Sequence, residues 1–189
     1  MCEFSERIIH PLFFNDDNWS SPTSPKQLSM GCISAKEATR INALFHSRLP
    51  YIHDSNVIRN KHYVCYAAEY QSVYFAVGIW SSPVAANRMK DGERILELRR
   101  LAISDDSPKF TATWMIAKMV KDIKKRFPEL IRLVSYQDTE VHKGTIYKAA
   151  GWRAASKSAG KSWTTEKRRR NKEQSLSEKI RWELEIENG

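Results

Sequence analysis

Two apolar runs rich in β-branched and aromatic residues stand almost end to end in this chain of 189 residues: "HYVCYAAEY", 62–70, and "SVYFAVGIW", 72–80. So short a polar break leaves the chain one economical course, a β-hairpin. Ahead of it, Ser34 and Glu37 form an S-x-x-E capping box, and Ala38, Ile41, Phe45 and Leu49 follow at helical spacing until Pro50 stops the helix. After it, "ILELRRLAI" (95–103) reads as a strand carrying Glu97, Arg99 and Arg100. The loop "SDDSPKF" leads to a helix beginning at Thr111, with an apolar stripe of Ile116, Met119, Val120, Ile123 and Phe127 and Pro128 to close it. "LIRLVSY" is a strand and "GTIYKAA" a short helix ended by Gly151. That order predicts an α/β domain with a mixed, mostly antiparallel sheet flanked by helices.

The ends of the chain differ from this middle. Residues 15–27, "NDDNWSSPTSPKQ", are rich in turn formers, so 1–27 reads as an N-terminal arm or loop and 28–152 as the core. Residues 153–189 form a basic C-terminal extension containing "EKRRRNK". Its closing "KIRWELEI" alternates like an edge strand that returns to the sheet, and such a strand can pair across a homodimer. The net charge is +9, which suits a polyanionic partner, because each neutralised phosphate releases counterions. Within the extension, Lys167, Arg168, Arg169, Arg170 and Lys172 are candidates to track a nucleic-acid backbone without reading sequence; a solvated charged segment has the same composition. Trp80, Trp163 and Trp182 are candidate base-stacking residues, with core packing as the alternative.

Other classes are set aside by what the chain lacks. No apolar run approaches the roughly 20 residues of a membrane span, so no membrane association is expected. Cys2, Cys32 and Cys65 are odd in number and widely separated, which fits reduced thiols in a cytoplasm and not a structural zinc site. No carboxylate or histidine cluster has convincing ligand spacing, so the residues assign no metal.

Two places carry chemistry. The strand end Leu101, Ala102 and Ile103 runs through a polar loop into Lys109, Phe110, Thr111, Ala112 and Thr113. A helix start has unsatisfied N–H groups at the positive end of its dipole, which suits a phosphate, though a plain threonine cap would look the same. The stretch "SYQDTEVHKGTIYKAAGW" (135–152) sets Ser135, Asp138, His142 and Tyr147 beyond the end of a strand. Ligand crevices collect there in α/β sheets, and a tyrosine hydroxyl can donate a proton to a leaving group. Ser135 is a hydrogen-bonding auxiliary, and His142 reads as a capping or surface group. Arg100 and Asp138 could pair, for structure or for substrate alike, if their strands are neighbours.

Strand, phosphate-type loop, helix, strand, then a helix with tyrosine four residues before a Gly-aromatic pair: this succession resembles the GNAT fold of acetyl-CoA-dependent N-acyltransferases. The familiar R-x-x-G-x-G/A loop is replaced by "SPKFTAT" (107–113). Within that superfamily, "HSRLP", "LELRRLAI", "SPKFTAT", "SYQD" and "HKGTIYKAAGW", in this order, resemble the phage Mom DNA-modification proteins over roughly residues 34–152. The resemblance implies an enzyme using acetyl-CoA or a related acyl-CoA, held by the strand end and helix start with Tyr147 near the thioester sulfur. It implies duplex DNA as partner, reached by base flipping, with adenine N6 modified to evade restriction. It places the family's functional histidine on His46, its strand arginine on Arg100 with Arg99 as second choice, its aspartate on Asp138 and its tyrosine on Tyr147. In such a fold the strands of Arg100 and Asp138 are neighbours. His46 also fits either a general base near neutral pH or a half-buried helix histidine. The family often has His-Tyr-Ser where this chain has His46-Ser47. A conventional GNAT N-acetyltransferase acting on a small amine or protein is the main alternative, and a non-enzymatic nucleic-acid-binding relative the third.

Overall fold

The computed structural model describes residues 20–45, 49–83, 94–159 and 177–186. After a short 3-10 turn at Pro25–Gln27 the order is β1 (Ser29–Cys32), α1 (Ala35–Phe45), α2 (Ser55–Ile58), β2 (Tyr63–Tyr70), β3 (Val73–Ser81), β4 (Ile95–Ile103), α3 (Thr111–Arg126), β5 (Arg132–Asp138), α4 (Thr145–Ala149), β6 (Arg153–Ser158) and β7 (Lys179–Glu185). Seven strands form one sheet in the order β1-β2-β3-β4-β5-β7-β6. Only the β4–β5 pair is parallel, as its crossover through α3 requires.

The expected hairpin is β2–β3, and its two-residue turn is Gln71–Ser72, both at positive φ (47° and 65°). That backbone matches the twist of the flanking strands, so the turn is tolerated without glycine. β3 is buried along its whole length. Period-2 alternation divides the hairpin between two cores. Val64, Tyr66 and Phe75 join α3's Met115, Ile116, Met119 and Ile123 on one face, while Cys65, Ala67, Val77 and Ile79 join α1's Ala35, Ala38 and Ile41 on the other. Across the first face the Tyr66 hydroxyl donates to the Asp122 carboxylate at 2.7 Å, so α3 is tied as well as packed.

Local signals set the helix ends. Ser34 Oγ accepts from the Glu37 amide at 3.1 Å, but the Glu37 carboxylate turns to Arg40, so half of the capping box forms. α1 is described from Ala35 to Phe45, and Leu49, which the sequence pattern placed on it, is not helical and is 38% exposed. Two strands depart from the sequence-based expectation. β1 comes from "SMGC", too short and too small in its side chains to show a period. β7 is no edge: it bonds β5 on one side and β6 on the other, because the Ser- and Lys-containing stretch 153–158 adds the outermost strand. The homodimer pairing expected of it therefore has no free edge on β7 to use. No helix among the described residues is long and apolar enough to cross a membrane.

Candidate active site

Parallel strands β4 and β5 pair through only four positions, Ile95 with Arg132 to Leu98 with Ser135. Beyond them β4 continues for five residues to Ile103 and β5 for three to Asp138, unpaired with each other. The sheet therefore opens at Leu98 and Ser135, and both strands present their C-terminal ends to the gap. Ligands bind outside such carboxyl ends in open α/β sheets.

Ser135 stands at the apex. It is 2% exposed; its Oγ lies 3.5 Å from the Leu98 carbonyl across the last paired position and 2.8 Å from the Tyr147 hydroxyl. Tyr147 comes from α4 and is 7% exposed. Its ring stacks on Trp182 with centroids 5.4 Å apart and lies 5.7 Å from Trp152. Burial pushes its pKa above the ordinary 10.0, partly offset by the Ser135 hydrogen bond. Tyr147 is therefore a protonated donor at neutral pH, fixed by rings on two sides and joined to a second hydroxyl that can relay its proton.

The scaffold beneath this pair was missed in the sequence, where Gln137 and Trp182 share no local pattern. Trp182 Nε1 donates to Gln137 Oε1 at 2.7 Å, and Gln137 Nε2 donates to the His142 carbonyl. The loop from β5 to α4 is thus clamped from below. Gly144 takes φ +71° there, and a Cβ would come within 2.5 Å of Gln137 Oε1 and 2.6 Å of Trp182. Gly144→Ala is expected to cost about 2 kcal/mol, combining left-handed backbone strain with overpacking. Thermal denaturation of the variant checks this, and an unchanged melting temperature would contradict the clamp.

The other sequence-derived residues fall into separate places. Asp138 ends β5, where its Oδ1 accepts from Ser177 Oγ at 2.5 Å and from the Glu140 amide at 3.1 Å. Arg100 donates to the carbonyls of Arg99 (2.7 Å) and Pro50 (3.3 Å). The Arg100–Asp138 pair weighed from the sequence is thus not the arrangement these bonds give. Trp80 and Trp182 are 0% and 3% exposed and belong to the core, so base stacking is not their role. His46, Trp163 and the basic residues Lys167, Arg168, Arg169, Arg170 and Lys172 lie outside the described residues.

α3 begins on the other side of the opening. Its N-cap is Phe110, at φ 71° with no side-chain cap hydrogen bond. Thr111 does not cap the helix; it is buried and its hydroxyl donates to the Pro108 carbonyl at 2.7 Å. The Ala112 and Thr113 amides are left at the positive end of the helix without a side-chain acceptor, beside Lys109 and a Phe110 ring that is 79% exposed. A non-glycine residue in the left-handed region costs about 1–2 kcal/mol and recurs where backbone faces a ligand. Among the described residues no group of three or more His, Cys, Asp or Glu could hold a metal ion.

Residues 48–187 match the Mom protein family. Among solved structures, the chain is similar to the ribosomal-protein-S18-alanine N-acetyltransferase from Escherichia coli (11% identity, TM-score 0.61, covering 86% of this chain and 96% of that one). It is similar to spermidine N-acetyltransferase from Vibrio cholerae in complex with CoA and spermine (12%, 0.60, 85% and 96%). A GNAT family acetyltransferase from Elizabethkingia anophelis with acetyl-CoA bound aligns as well (11%, 0.52, 85% and 99%). These likenesses show the fold, which is GNAT-like as the sequence resemblance implied. No curated protein matches the chain.

Proposed function

The chain belongs to the Mom protein family, and we propose that it is a DNA-modifying transferase acting on adenine N6 with an acyl-CoA-type cofactor. The observation that carries this reading is the opening between β4 and β5, with the buried Tyr147–Ser135 pair at its apex. The residues fit such a cofactor. The β4 edge at Leu101, Ala102 and Ile103 has no β5 residue paired to it and can hydrogen-bond an extended amide chain. The uncapped amides of Ala112 and Thr113, with Lys109, suit its pyrophosphate.

When bound, the cofactor supplies a carbonyl carbon activated by its bond to sulfur, the bond exchanged for one to the adenine nitrogen. The residues of the chain manage the proton that must travel from nitrogen to sulfur. Tyr147 would hold the proton that the departing sulfur takes up, and Ser135, hydrogen-bonded to its phenolic oxygen, would return one to it, itself resupplied with the proton that leaves the amine. Exocyclic adenine nitrogen is a poor nucleophile because its lone pair is delocalised, so a base on the acceptor side is needed; His46 is the residue we assign to it. Asp138 fixes the turn that carries α4, and acts through Tyr147's placement. A base in duplex DNA is reached by flipping it out, and the basic run Lys167–Lys172 supplies charge for the backbone.

Calorimetric titration with acetyl-CoA, alongside duplex binding at rising salt, tests the reading. Cofactor binding together with a steep salt-dependent loss of DNA binding is expected. Cofactor binding without DNA binding points to an N-acetyltransferase of small amines or proteins. DNA binding without cofactor binding points to a non-enzymatic relative.

A further inference from the structure

Three arginines gather where β4 carries a bulge. Ile79 faces Arg100 and Trp80 faces Leu98, which leaves Arg99 as the extra residue. Bulges re-aim side chains, often beside active sites. Arg99 donates to Ser81 Oγ at 3.0 Å and stands 3.8 Å from the Glu97 carboxylate. Arg100 is held by the Arg99 and Pro50 carbonyls, and its buried Nε meets no hydrogen-bond partner among the described residues. Burial is the chief cause that pushes both guanidinium pKa values down; Glu97 opposes this, while Arg59 at the end of α2 repels Arg99 and Arg99 repels Arg100. Half-buried like charges with Glu97 as the one carboxylate beside them among the described residues do not favour the fold; an added anion would relieve them.

Apolar surface collects at the same place. Of the seven exposed large hydrophobic residues among the described ones, Leu44, Leu49, Tyr51, Ile58 and Tyr63 run from the last turn of α1 to the first residue of β2. Tyr63, 41% exposed, pairs across the hairpin with Ser81, the serine that holds Arg99. Tyr51, 52% exposed, follows Pro50, whose carbonyl holds Arg100, and its ring meets His53 edge-on at 4.8 Å. Tyr63 and Tyr51 are thus each one residue removed from a group that holds an arginine, Ser81 for Arg99 and Pro50 for Arg100. Arg99 reaches the edge of the opening, since it follows Leu98, whose carbonyl faces Ser135.

We propose that Arg59, Arg99 and Arg100, with Tyr51 and Tyr63 among them, form the surface that holds the DNA strand beside the site. The arginines take backbone phosphates, and the tyrosine rings take the face of an unstacked base. This rests on the DNA reading above, and it gives Arg100 a binding role.

Fluorescence anisotropy of labelled duplexes with the full chain, over a range of salt concentrations, tests it on two exposed positions. Arg59→Gln is expected to weaken duplex binding several-fold and to lower the slope of log K against log salt by about 1. Arg59→Lys keeps the charge and should keep the slope. Tyr63→Ala should weaken binding to a duplex with one unpaired adenine more than to a fully paired one. Wild-type affinity and slope in Arg59→Gln, with no effect of Tyr63→Ala, would overturn the surface and leave the DNA reading standing. Absence of duplex binding by the wild type would overturn the DNA reading itself, and the surface with it.

Discussion

Replacing Tyr147 with phenylalanine is expected to lower the rate of group transfer by about 10²–10⁴, the usual contribution of a positioned acid. The ring would keep its stack on Trp182 and its contact with Trp152, so the substitution removes one hydroxyl and little else. Stability should fall by about 1 kcal/mol, the net worth of an ordinary hydrogen bond, because Ser135 retains the Leu98 carbonyl. For a chain of this size that is a melting shift of about 2–4 °C. The pH profile carries the sign. Burial raises the pKa of Tyr147, so the donor stays protonated through neutral pH and is lost only above the ordinary tyrosine value of 10.0. An alkaline fall in rate between pH 7 and 9 would need another group. Full activity in Tyr147→Phe would remove the tyrosine from the chemistry altogether.

Trp182→Ala should have the largest effect on stability, about 3–5 kcal/mol, as for other large aromatics removed from a core. The indole is 3% exposed and belongs to the core on the α3 face. Its loss leaves Gln137 Oε1 without its donor and Tyr147 without its stacking partner. A melting temperature lower by roughly 10 °C is the expected reading. Trp182→Phe keeps an apolar ring, and loses the hydrogen bond and part of the indole's volume, at about 1–3 kcal/mol for the stranded acceptor together with a smaller packing loss than Trp182→Ala. Equal stability of Trp182→Ala and wild type would show that β7 does not support the site.

These two residues also show how far the sequence could be read. Tyr147 was legible because the elements around it are strongly patterned: β4 spans Ile95–Ile103 as expected, and α3 begins at Thr111 as expected. The hairpin was legible from its two apolar runs, though not its turn, where Gln71 and Ser72 take a conformation usually given to glycine or asparagine. Trp182 was visible as an aromatic in the tail, but its place beneath Tyr147 depends on β7 lying between β5 and β6, a pairing between segments about 45 residues apart. No local period reports such a contact. Arg99 and Arg100 were legible as charges on a strand, yet the bulge that groups them with Arg59 is a register shift between two strands and leaves no mark in either. The parting of β4 from β5 is likewise a property of the pair, and it leaves the end of β4 unpaired with β5 beyond Leu98 and Ser135, where Tyr147 is hydrogen-bonded.

The central claim is tested most directly by nucleoside mass spectrometry of plasmid DNA from cells expressing the wild-type chain or Tyr147→Phe. A new adenine adduct in the wild-type sample, absent or strongly reduced with Tyr147→Phe, is the predicted result. Unmodified adenine from cells containing soluble wild-type protein that binds acetyl-CoA would contradict it.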